Sequence, residues 1–172
     1  NTAEWVELYN GCNIPVDLSC WVMTDGDFGV TFPAGTIIPA LGHFVIGSSN
    51  SGVTINLDLG TCNCTSGANS QVGIFTNGNE QLALVDATGT FEDGIFWGSG
   101  QFVQTPSFTS NQVGDCLGQT ILLDQTNPIF QGLPSQSGND GYTLFRSCDG
   151  ASTWISGGQA PTPGASNGAG SA

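Results

Sequence analysis

Basic side chains are all but missing from this chain. Arg146 is the single Lys or Arg, set against fourteen Asp and Glu, for a formal net charge of −13. A surface of that sign repels phosphate backbones, which argues against nucleic-acid binding and leaves small cations such as Ca²⁺ or Na⁺ as the species it attracts. Long apolar runs are missing too. No stretch of eighteen occurs, so no helical membrane span is expected. No signal-peptide pattern opens the chain, and any such segment is expected to have been removed or to lie outside it. Histidine occurs once, at His43, inside the apolar run HFVI. Serine–histidine or cysteine–histidine catalysis needs that ring beside a nucleophile, and nothing in the run supplies one. His43 is therefore read as a half-exposed strand histidine and the chain as a non-enzyme. No pair of carboxylates stands in an aromatic setting of the kind glycoside hydrolysis requires.

What the chain does have is glycine, 26 in 172 residues, between short apolar runs. That length supports one domain with a proper core, and Gly-rich turns between short strands indicate an all-β sandwich. Residues 4–10 (EWVELYN) alternate, with Trp5, Glu7 and Tyr9 on one side and Val6 and Leu8 on the other, the period of a half-buried strand. Asn10-Gly11 opens a turn. A second strand is expected over 16–23, broken by Asp25-Gly26-Asp27, and another over 43–46 after the Pro/Gly punctuation of 33–42. Strand character is also read at 53–59, at 71–75 before an Asn77-Gly78-Asn79 hairpin turn, and at 81–86 and 91–97. The last of these places Phe91, Asp93, Ile95 and Trp97 on one face. Residues 99–141 form a long stretch with three prolines and one apolar run, 120–123 (TILL). A loop of that length in a compact domain is functional or tied down. The Pro/Gly/Ala/Ser composition of 159–172 reads as a linker or tail beyond a domain spanning 1–158.

The strings EWVELYN, PVDLSCW and FPAGTIIPALGHFVI, the stretch 80–97 (EQLALVDATGTFEDGIFW), and the ending YTLFR, Trp154 and PTPGASN together resemble the lamin-tail (intermediate-filament tail) domain. The likeness is to the disulfide-bearing kind carried by exported bacterial surface proteins. It implies an immunoglobulin-like β-sandwich. It says little about activity, because the domain occurs as a module in proteins of many kinds. It also implies an apolar strand ahead of the carboxylate-aromatic strand, where this chain has only Asn1-Thr2-Ala3. An extended segment from a neighbouring subunit or domain, or the chain's own 53–59 or 120–123, is expected to fill that place.

Six cysteines, Cys12, Cys20, Cys62, Cys64, Cys116 and Cys148, indicate an oxidising compartment and an extracellular or cell-surface location. All six are expected to be oxidised; six cysteines allow fifteen pairings and the sequence does not fix which, with Cys12 and Cys20, facing across the first hairpin, the favoured pair. Cys62 and Cys64 stand too close to pair readily, so each is assigned a different partner, and Cys116 is expected to tie down the long stretch. The spacing is not that of a zinc finger. Asp25 and Asp27 are candidate Ca²⁺ ligands, although Asp-Gly pairs are ordinary turn formers. Asn63-Cys64-Thr65 is a formal glycosylation sequon, read as unmodified. The function these features point to is a non-catalytic structural or adhesive surface module, completed by a neighbour's strand and able to propagate as a fibre. The alternative is an accessory carbohydrate- or Ca²⁺-binding module of a larger secreted enzyme.

Overall fold

The computed structural model describes residues 4–67, 80–97, 107–123, 130–132, 144–156 and 161–167. Among them fifteen short strands and one 3-10 turn (Ser49–Ser51) form the regular structure, without an α-helix. In chain order the strands are β1 (Trp5–Tyr9), β2 (Val16–Asp17), β3 (Val22–Thr24), β4 (Phe28–Thr31), β5 (Ile37–Ile38), β6 (His43–Gly47), β7 (Leu57–Asp58) and β8 (Thr65–Gly67). They continue with β9 (Glu80–Val85), β10 (Phe91–Trp97), β11 (Ser107–Thr109), β12 (Thr120–Leu122), β13 (Phe130–Gly132), β14 (Leu144–Arg146) and β15 (Trp154–Ser156).

A six-stranded sheet, β13-β10-β9-β3-β4-β8, packs against a three-stranded sheet, β1-β6-β7, as an immunoglobulin-like sandwich. Pairing is antiparallel except between β6 and β7 and between β10 and β13. Met23, Phe28, Val30 and Phe32 of the large sheet meet Phe44 and Ile46 of the small one, with Val6 and Leu8 packed at the side. Each large apolar side chain buried this way contributes about 1.5–3 kcal/mol. The alternation read in β1 holds: Val6 and Leu8 face the core, while Tyr9 lies over His43 on the other side.

Alternation also gives the large sheet a second buried face. Val22, Ala83 and Val85 point away from the sandwich core and meet Phe108, Ile121 and Leu123 of the β11–β12 hairpin. Gly29 makes room for it, since a Cβ there would stand 2.5 Å from Phe108 Cζ. The hairpin is fastened by the Cys20–Cys116 disulfide, by Gln119 Nε2 donating to the Cys20 carbonyl (2.9 Å), and by the Asn111 N–H donating to Ser66 Oγ (2.7 Å).

Several expectations are corrected. The strand foreseen over 16–23 is two, β2 and β3, because Cys20 takes φ +64 and carries the chain from a small ladder with β5 into the large sheet. Phe91 does not share a face with Ile95 and Trp97. A bulge between Phe91 and Asp93 shifts the register, so Phe91 and Phe96 both pack on the second face. Neither proposed filler stands beside β1: of 53–59 only β7 is strand, on the far edge of β6, and 120–123 supplies β12. The strand at 71–75 and the hairpin turn at 77–79 lie outside the described residues.

The sulfur assignments change as well. Cys20 bonds Cys116, not Cys12, and Cys62 bonds Cys64. Cys12 stays at the end of the small sheet, its N–H held by Asn10 Oδ1 (2.9 Å) and its carbonyl accepting from Leu41 N–H (3.0 Å), while Cys20 turns into the large sheet. The Cys62–Cys64 bond is possible because Asn63 sits at φ +50, which brings the two Cα atoms to 5.1 Å, inside the disulfide range. Asn is among the residues that tolerate this left-handed conformation best. In this structure Cys12 and Cys148 are unbridged.

Candidate functional site

The outward face of β1 and β6 brings Glu7, Tyr9, His43 and Asp149 together. Cross-strand register sets Glu7 opposite Val45 and Tyr9 opposite His43, and the Tyr9 and His43 rings lie 5.0 Å apart between centroids. Two distant segments close over this face. Asp149 Oδ2 stands 3.5 Å from His43 Nε2, an ionic approach longer than a well-formed hydrogen bond. The Gly164 N–H donates to Glu7 Oε2, and the Asn167 N–H donates to Asp149 Oδ1 (3.1 Å). Residues 161–167, part of the stretch read as a tail, thus contact the first strand and the 148–151 turn.

The two carboxyls here are tuned in opposite directions. Burial pushes Glu7 above its ordinary value, against the Gly164 N–H and the nearby His43. For Asp149 burial is again the largest influence and also raises it. The Asn167 N–H, the Ser166 hydroxyl and His43 together outweigh it and leave that carboxyl below the usual range.

Ser166 was not anticipated in this company. The run Gly-Ala-Ser-Asn-Gly at 164–168 has the letters of a nucleophile elbow, and its serine reaches the same carboxylate as the histidine. The order is wrong for catalysis, because Asp149 stands between His43 and Ser166 where a triad needs the histidine in the middle. Residues 161–167 also form a turn, without the strand and helix that expose such a serine. The cluster works as a clasp. Beside it Arg146, the lone cation, donates to Asp93 Oδ2 (2.7 Å) and to the Ala151 carbonyl (2.8 Å). Its guanidinium carbon also lies 4.6 Å from the centroid of the Trp154 ring. A partly exposed ion pair of this kind contributes up to about 1 kcal/mol, and the ring contact a similar amount.

The other sequence candidates are dispersed. Asp25 is buried in the β3–β4 turn, where Oδ1 accepts from the N–H groups of Asp27 (3.0 Å) and Phe28 (2.7 Å). Burial pushes its carboxyl up to about 8. Asp27 is exposed, and among the described residues no three His, Cys, Asp or Glu side chains converge on a metal-sized space. The Asp25 carboxyl serves the turn. Asn63 is exposed inside the Cys62–Cys64 ring. At the end of β1, Asn10 is buried and donates from Nδ2 to the carbonyls of Ile14 (2.8 Å) and Pro39 (2.9 Å). That bracing leaves Ile14 and Leu41 exposed next to Cys12. Among the described residues β1 has one strand neighbour, β6, and its other edge pairs with none. No helix among those residues is long and apolar enough to cross a membrane.

The Lamin Tail Domain family matches residues 1–99, more than half the chain. The chain belongs to the lamin-tail-domain family. The match runs from the first strand to just past β10, so this lamin-tail domain carries β11 to β15, the Cys116 end of the long disulfide, Arg146 and Asp149 beyond the matched region. The family is one of immunoglobulin-like structural domains. No curated protein and no solved structure matches the chain.

Proposed function

We propose that this lamin-tail domain is a non-catalytic structural and adhesive module of an extracellular surface, joined to its neighbours by strand addition at β1. The observation that carries the reading is that, among the described residues, β1 pairs on one side only, with β6. An unpaired strand edge offers a row of N–H and C=O groups to an incoming chain. The exposed aliphatic side chains Ile14 and Leu41 lie at the end of the same sheet and widen the contact area. The disulfides fit an oxidising compartment. A donor strand passed from copy to copy is head-to-tail, so it propagates as a fibre. A carbohydrate-binding module would present aromatic rings. The exposed large hydrophobic residues described here, Ile14, Ile37, Leu41, Leu117, Leu122 and Ile155, are all aliphatic, which ranks that alternative second.

Light scattering on the native protein over micromolar to tens of micromolar concentration tests the proposal. Association that grows with concentration is expected. Glu7→Pro should abolish it, because Asn10 N–H points to β6 and the two-residue alternation therefore turns the Glu7 N–H to the open edge. A monomer throughout that range, with β1 still bare on one side, would reject the fibre.

A further inference from the structure

We propose that Cys12 and Cys148 close a third disulfide, binding the turn after β1 to the β14–β15 hairpin. Four of the six cysteines are already bridged, which leaves these two. Two separate contacts bring their segments to the same end of the molecule. Tyr9 Cε1 lies 3.7 Å from the position of a Cβ on Gly11 and 3.9 Å from that of a Cβ on Gly150, so the residue next to Cys12 and the turn that holds Cys148 flank one edge of one ring. Asp149, the neighbour of Cys148, meets His43, which is the cross-strand partner of Tyr9. Both thiols can be reached from solvent, Cys12 being exposed and Cys148 half-buried. Gly11 adjoins Cys12, and the turn 148–151 is closed by the Ala151 N–H on the Cys148 carbonyl (3.0 Å), with Gly150 at φ +74. A bridge needs the two Cα atoms about 4.4–6.8 Å apart.

The oxidant required is a small-molecule or protein disulfide. One cysteine thiolate attacks a sulfur of that disulfide and forms a mixed disulfide as the first thiolate leaves. The second cysteine thiolate then attacks the Sγ of the first, forming the Cys12–Cys148 bond and expelling the second thiolate. The protons lost by the two cysteines go to the two departing thiolates. Two electrons pass from the cysteine pair to the oxidant, which ends as two thiols. The bond would join the matched region 1–99 covalently to the segment that carries Arg146 and Asp149, and would hold the clasp over His43 closed.

The test uses the full chain incubated with oxidised glutathione, then denatured without reduction and alkylated with iodoacetamide for intact mass. The parent should take up no label, and Cys12→Ser and Cys148→Ser should each expose or cap one thiol. Cleavage before Asp17, Asp115, Asp140 and Asp149 separates the peptides of Cys12, Cys20, Cys116 and Cys148, and a linked Cys12–Cys148 pair is expected. Two labels on the oxidised parent, two stable glutathione adducts, a bond between two chains, or a link from either cysteine to Cys20, Cys62, Cys64 or Cys116 would each overturn the proposal. Should a serine variant fail to fold, the parent's peptide map decides alone.

Discussion

The two faces of the six-stranded sheet are covered by different means. The inner face meets a second sheet drawn from the same family-matched region, and Phe28, Val30, Phe32, Phe44 and Ile46 interlock there by packing alone. The outer face meets a hairpin of two three-residue strands from beyond that region, contributing Phe108, Ile121 and Leu123. An isolated hairpin of that size is marginal in water. The Cys20–Cys116 bond and the Gln119 and Asn111 hydrogen bonds hold it where its apolar area alone is small. A late segment can be added to a finished sandwich if a covalent tie replaces the missing area.

Removing the tie tests this most severely. Replacing Cys20 and Cys116 together by Ala frees a 96-residue separation, and the chain-entropy relation puts the loss at about 4–5 kcal/mol by denaturant unfolding. Amide exchange should then show 107–123 opening well before β1 and β6. Simultaneous loss of protection in both would show that the two faces form one cooperative unit. Phe32→Ala on the inner face should cost about 4 kcal/mol and affect every strand together. Phe108→Ala should cost about 3 kcal/mol with the bridge intact, and its loss should be confined to the hairpin once the bridge is gone. Equal, global effects of the two Phe substitutions would erase the distinction. Replacing Cys62 and Cys64 by Ala should cost only about 1.5 kcal/mol, because that bond closes a ring of three residues.

A second group of effects is read in pH. Asp25 has a folded value of about 8, raised by burial, against about 3.9 when unfolded. Its contribution to stability is full below about pH 4 and is lost as pH rises through 8. Asp25→Asn keeps the turn's acceptor oxygen and should flatten the fall in melting temperature over that interval. Asp149 is lowered, so its contribution is present at neutral pH and lost on acidification. Asp149→Asn should weaken that acid-side loss without altering the Asp25 interval, and an unchanged profile would show that the clasp carries no stability.

Much of the sandwich could be read in one dimension. The alternation of Val6 and Leu8 against Glu7 and Tyr9 is a property of neighbouring residues, and so are the turn at Asp25-Gly26-Asp27 and the 80–97 hairpin, so periodicity and turn chemistry gave them away. Single backbone conformations with no strong local signature were misread. Cys20 and Asn63 in the left-handed region and the bulge after Phe91 redirected one strand, one disulfide and one face. Cys20 and Asp149 lie 96 and 106 positions from their partners Cys116 and His43, and no local pattern encodes which of six cysteines or fourteen acids arrives there. Most strand positions, the turns and the acidic, lysine-free surface follow from the residues alone, because these depend on side-chain size, Cβ sterics and charge within a few residues. Which sheet face the later hairpin covers, which sulfurs bond, and that the 161–167 segment closes over His43 were decided only by the tertiary structure, since those contacts exist only after distant segments have packed into one geometry.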